Sequence, residues 1–120
     1  MGDIRSTSRL LDDYRRHTAQ LEELRALLHE RLAAARAERD SLAEDEHVSR
    51  SPASGEPVSL AARRAERART AVTEIEAAIE RLDFGVYGTC LRCGAFIALR
   101  RLRRVPHTRH CADCHDTRRR

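Results

Sequence analysis

The 120-residue chain holds its four cysteines as two pairs, Cys90-x-x-Cys93 and Cys111-x-x-Cys114, with 17 residues between the pairs. No other feature constrains the fold as tightly. A Cys-x-x-Cys turn presents two thiolates on one side of a tight knuckle, and a second such turn completes a tetrahedral shell of four sulfurs. The spacing points to one zinc ion held by Cys90, Cys93, Cys111 and Cys114. Four thiolates leave no open coordination position, so the site reads as structural, not catalytic. Two other readings exist for paired cysteines. A reducing compartment speaks against disulfides, and the lack of a thioredoxin-like strand–helix unit speaks against a redox dithiol. Gly94 follows the first pair, where a positive φ turns backbone N–H groups toward sulfur. Arg92 and Arg109 sit beside the ligands and offset the charge of the thiolates. His107, His110 and His115 lie near them and read as surface or supporting residues, with exchange of one into the ligand set as the alternative.

Residues 84–116 are too few to fold on an apolar core alone. Phe84, Tyr87, Phe96, Ile97, Leu99, Leu102 and Val105 are expected to cluster around the metal. In comparable peptides zinc contributes about 10–16 kcal/mol to folding at neutral pH.

The remainder of the chain reads as helix. Ala, Glu, Arg and Leu dominate, there is no Trp, and only 2 Phe and 2 Tyr are present. A rounded core normally draws on more aromatic area than that. From Leu10 onward Tyr14, Leu21, Leu28, Ala35 and Leu42 recur every seven residues, with Leu11, Leu24 and Leu32 between them. No Gly or Pro interrupts residues 10–48. Residues 45–58 bring two prolines, a glycine and several serines, and are expected to form a loop. Ser59 then suits an N-cap. Ala61, Ala65, Ala68, Val72, Ile75, Ile79 and Leu82 follow with the alternating 4, 3 spacing of a coiled-coil seam. One loop between two seams predicts an antiparallel intramolecular hairpin, an intermolecular coiled coil being the alternative. At Gly85 and Gly88 the heptads stop.

The expected architecture is therefore mainly α. A flexible stretch at 1–9 leads into a helical hairpin at 10–83, a four-cysteine finger at 84–116 and a basic tail at 117–120. Charge divides along the same line. Residues 1–83 carry 14 Arg against 17 acidic residues, and residues 84–120 carry 9 Arg against 2. The finger's Arg100, Arg101, Arg103, Arg104 and Arg109 form a candidate basic patch for phosphates. Glu44, Asp45, Glu46 and Glu56 gather at the loop end. No stretch approaches the ~20 apolar residues of a membrane-spanning helix, and no secretory run opens the sequence. The expectation is a cytoplasmic monomer without a membrane partner. The chain has no Lys and no Asn, which suggests a GC-rich bacterial genome. No nucleophile–base arrangement, phosphate loop or open metal site is visible, so an enzyme is not expected.

Gly85, Tyr87, Gly88, Cys90, Cys93, Gly94, Ile97, Arg101, Leu102, Pro106, Cys111 and Cys114 together resemble the four-cysteine zinc finger of the TraR/DksA family. The preceding hairpin suits that family as well. The resemblance implies a transcription regulator that binds bacterial RNA polymerase directly. In such proteins the coiled coil enters the secondary channel, acidic residues at its tip act near the active site, and some members act with guanosine tetraphosphate. Better-known members carry an Asp-Pro-Val-Asp type motif at the tip. Here the nearest equivalent is Glu56-Pro57-Val58-Ser59, which keeps the first carboxylate and lacks the second. Val105 and His115 stand where some members place the Arg and Lys that hold the nucleotide. Two other readings remain: a sequence-independent nucleic-acid-binding finger, and a coiled-coil assembly protein.

Overall fold

The computed structural model describes residues 4–49 and 59–118. Among these described residues four helices follow in order: α1 (Ile4–Ser49), α2 (Ser59–Asp83), α3 (Leu99–Arg104) and α4 (Ala112–Arg118). Among the described residues there is no strand, only an antiparallel bridge between Thr89 and Phe96. The molecule is a rod with principal extents of 80 × 32 × 21 Å.

Helices α1 and α2 pack along each other as the antiparallel hairpin. Their shared core is Leu28, Leu32 and Ala35 from α1 against Val72, Ile75, Ala78 and Leu82 from α2, with Leu21, Ala71 and Ile79 at its margins. Toward the loop end the buried α2 residues shrink to Ala65 and Ala68. Around these contacts the ion pairs are exposed. Arg25 meets Asp83 at 2.6 Å and Arg36 meets Glu76 at 3.7 Å. Pairs of this kind contribute roughly 0–1 kcal/mol each, so apolar burial holds the hairpin.

Three details depart from the heptad reading. Ala78 is fully buried, whereas Ile79, expected in the seam, lies half-buried beside it. Leu82 keeps its place in the seam, so the seam itself does not move; the apolar stripe here is wider than two positions per heptad and takes in Ala78 as well as Ile79. Helix α1 also begins at Ile4, ahead of Leu10 and within the stretch expected to be flexible. It runs to Ser49, past the expected helix end near 45. Neither extension contains Gly or Pro, and an existing helix adds residues cheaply once nucleated. The third detail concerns Leu11 and Tyr14. Asp83 ends α2 opposite Arg25, so the first five or so turns of α1 have no second helix beside them. Leu10, Leu11 and Tyr14 are accordingly 70%, 52% and 69% exposed.

Helix α2 ends in a Schellman motif. Val86 N–H donates to the Arg81 carbonyl at 2.9 Å and Gly85 N–H to the Leu82 carbonyl at 3.2 Å. Gly85 adopts φ +77°, the left-handed conformation this cap needs and β-carbon-bearing residues resist.

These differences in burial predict unequal mutational costs. Leu28→Ala should lower the unfolding free energy by about 2–5 kcal/mol, and Leu11→Ala by less than ~0.5 kcal/mol. Urea titration at constant free zinc checks this; equal costs would mean that the α1 overhang is packed in solution.

Candidate metal centre

The finger is assembled from turns that bring the two cysteine pairs together. Gly88, at φ +94°, redirects the chain out of the α2 cap. Its carbonyl accepts from Ile97 N–H at 2.8 Å, and Cys90 N–H donates to the Ala95 carbonyl at 2.8 Å. The knuckle between them closes when Gly94 N–H donates to the Cys90 carbonyl at 2.9 Å. Gly94 has φ +76°, as the expected sulfur-facing turn requires.

The second pair is delivered by the segment after α3. Pro106 is buried, and its carbonyl accepts from the Tyr87 hydroxyl at 2.9 Å. Burial pushes the Tyr87 phenol up to about 12, against the opposing influence of nearby Arg81. Leu91 N–H donates to the Arg109 carbonyl at 2.9 Å, joining the two halves of the finger. The His110 carbonyl is held from two sides, by Arg101 Nε at 3.0 Å and by the Thr108 hydroxyl at 3.0 Å. Cys111 follows directly, and Cys114 sits on the first turn of α4.

All four Sγ atoms lie within 4.8 Å of one another. Cys93 Sγ and Cys111 Sγ are 3.8 Å apart. A tetrahedron with Zn–S bonds of about 2.3 Å has edges of about 3.8 Å, so the arrangement fits this ion. Sulfur electrostatics agree with a cation site. Burial raises the Cys90 thiol, but N–H groups of Cys93, Cys111 and Arg92 outweigh it and bring the thiol down to about 5. Cys114 is pushed up to about 12 by burial and by sharing hydrogen bonds with the other three sulfurs. Four crowded thiols do not ionise together unaided; a divalent cation lets them do so. Among the described residues the metal-competent group contains these four cysteines and no histidine. His107 instead approaches Glu74 of α2, with Nε2 3.7 Å from the carboxylate. Burial depresses the His107 pKa, an effect that Glu74 opposes and Arg31 and Arg81 reinforce.

The finger's own core is smaller than expected. Ile97 and Leu102 are buried with Cys90, and Tyr87 and Leu99 are partly buried against them. Phe84, Phe96 and Val105 are 74%, 89% and 38% exposed. Phe96 alternates with inward-facing Ile97 beside the bridge to Thr89, and Phe84 lies beyond the last turn of α2. The missing apolar partner comes from the hairpin. Leu24 of α1, 2% exposed, packs into the cluster of Cys90, Ile97 and Leu102. Its place in the leucine seam gave no hint that it serves the finger. Two polar contacts also join the finger to the hairpin, Arg103 to Glu23 at 3.2 Å and Arg109 to Glu74 at 4.0 Å.

The basic residues are thus divided. Arg101, Arg103 and Arg109 hold the finger together or to the hairpin, whereas Arg100 lies exposed on α3 with Arg104. At the other end Glu44 is exposed on α1, and Asp45 and Glu46 lie on its last turns. The side chains of Asp45 and Glu46, and all of Glu56, lie outside the described residues.

Zinc removal should therefore unfold the finger and spare the hairpin. Among the described residues, helices α3 and α4 hold 13 of the 84 in helices, so a strong chelator should release one zinc per chain with loss of only about 15% of the helical circular dichroism. Collapse of the whole helical signal would contradict this division.

Known proteins show the same arrangement. Residues 85–120 match the model of the prokaryotic dksA/traR C4-type zinc finger. An uncharacterised protein of Aquifex aeolicus (strain VF5) is 49% identical over 41 residues, which are 34% of this chain and 28% of that protein's length. The structure of transcription factor DksA2 from Pseudomonas aeruginosa superposes with a TM-score of 0.71 at 27% identity, over 84% of each chain. The DnaK suppressor protein from Agrobacterium tumefaciens C58, at 24% identity, shares the fold with a TM-score of 0.58 over 80% of this chain and 91% of that one. With the cysteine geometry, the finger match and the hairpin superposition together, residues 85–120 form a dksA/traR C4-type finger that carries one structural zinc, on a helical body similar in fold to DksA2.

Proposed function

We propose that this protein regulates transcription by binding RNA polymerase through its helical hairpin, with the acidic loop end inserted toward the active site through the secondary channel. The dksA/traR-type finger and the likeness to the transcription factor DksA2 over most of the chain support a transcription-factor-like role. The observation that supports the polymerase reading best is the distance between the finger and the loop end of the hairpin. Leu24 is in contact with the finger, and exposed Glu44 lies about 30 Å further along α1 at 1.5 Å per residue. Glu44, Asp45 and Glu46 follow one another on α1 at the loop end of a slender, two-helix cross-section, with Arg63 and Arg64 near the start of the adjoining α2.

The chemistry suits a narrow channel. Carboxylates presented on a rigid hairpin interact with metal ions or with basic channel walls over short range. The zinc finger acts as a base that fixes the angle of the rod, through Leu24 and the Arg103–Glu23 contact. In this reading the four-cysteine zinc performs no chemistry, having no coordination position to offer.

The zinc-loaded protein should co-elute with core RNA polymerase from a GC-rich bacterium on a sizing column, at moderate salt and without DNA. Joint replacement of Glu44, Asp45, Glu46 and Glu56 by Ala should abolish co-elution while leaving zinc content and helicity intact. Failure of the wild-type protein to co-elute, with zinc bound, would overturn the proposal.

A further inference from the structure

A second surface, on the finger, has chemistry that polymerase insertion by the hairpin does not use. Phe96 is one of only 4 Phe and Tyr residues in the chain, and its side chain is 89% exposed. Neighbouring Ile97 is buried, so the local backbone directs one apolar side chain inward and the aromatic ring outward. Phe96 lines an open cleft of about 270 Å³ together with Arg100, Arg101 and Arg104 of the α3 segment. Arg101 is committed to the His110 carbonyl. Arg100 and Arg104 are spaced i, i+4 and so share a face of α3, opposite the buried Leu102. Among the described residues, neither of these two arginine side chains has a hydrogen bond or ion pair. Asp113 also lines the cleft, and it already has an interaction partner.

We infer that this cleft is a binding site for single-stranded nucleic acid, with Phe96 stacking on a base and Arg100 and Arg104 contacting phosphates. An aromatic face beside two unpaired guanidinium groups is the combination single-strand binders use: the ring accepts any unstacked base, and the cations follow the backbone. The excess of 9 Arg over 2 acidic residues across 84–120 supplies the long-range attraction. An acidic protein segment would engage the arginines and leave the ring without a role. Duplex DNA hides its base faces, so the ring selects single strands over duplex. The inference does not depend on the hairpin's binding to polymerase.

The test uses the full-length, zinc-loaded protein and a short fluorescein-labelled oligo(dT), followed by fluorescence anisotropy. Binding should weaken steeply with salt. Phe96→Ala should weaken it about tenfold at constant salt, and a matched duplex should bind about tenfold more weakly than the single strand. Replacing both Arg100 and Arg104 by Gln should lower the salt slope by about 1.4, near 0.7 for each phosphate no longer neutralised. The chain has no Trp, so Phe96→Trp installs a single reporter at the ring position. Its emission should be quenched on adding oligo(dT), which reports stacking independently of affinity. Unchanged affinity in Phe96→Ala, equal binding of duplex, or unquenched Phe96→Trp emission would each overturn the inference. If the double arginine replacement kept full oligonucleotide binding but ended polymerase co-elution, the cleft would be a protein-binding surface and the inference would fall.

Discussion

Four sulfur atoms within 4.8 Å of one another cannot all be thiolates without a cation between them. That constraint organises the lower third of the molecule. The positive-φ turns at Gly88 and Gly94, the Leu91–Arg109 link and the doubly held His110 carbonyl all place sulfur, and each is too local to persist alone. The buried apolar side chains of the finger proper reduce to Ile97, Leu102 and Pro106, far short of what a segment of this size needs. Metal binding supplies the difference. Leu24, which fills the cluster from the hairpin side, then couples the finger's folding to the orientation of the rod.

The hairpin obeys a different logic. Its stability comes from a continuous apolar seam of Leu, Val, Ile and Ala, and its charged residues are mainly solvated. It therefore does not need the metal to be helical, but it does need the finger to be aimed. Function in the proposed reading uses both halves: the hairpin projects carboxylates away from the base, and the base holds the direction. Such a division also frees the finger's outer face, where Phe96, Arg100 and Arg104 contribute nothing visible to folding.

The cysteine quartet, the two seams and the stop at Gly85 were legible in the sequence because each is a local signal: ligand spacing, heptad spacing, a left-handed cap. What escaped was set by distance. Nothing around Leu24 distinguishes it from Leu28, yet one packs on the finger and the other on α2. The arginines of the finger look alike in sequence, and only the fold assigns Arg103 to Glu23 and Arg109 to Glu74. Ala78 is buried beside Ile79 because the apolar stripe of α2 is wider than the two positions per heptad that the spacing marks. The short helices α3 and α4 have too few turns to leave a periodic pattern. Phe84 and Phe96 were expected inside because they are aromatic; the bridge at Thr89 and the end of α2 turn them outward.

The most direct test of this account is hydrogen exchange, read by mass spectrometry, on zinc-loaded and zinc-stripped protein. With zinc removed, amides across residues 88–111 should lose protection, and those of α1 around Leu24 should lose part of theirs, because their apolar cover has gone. Amides at Leu32–Ala35 and Val72–Ala78 should keep it. Persistent protection of the finger without metal, or equal loss through the hairpin core, would contradict a metal-built base that aims an independently stable rod.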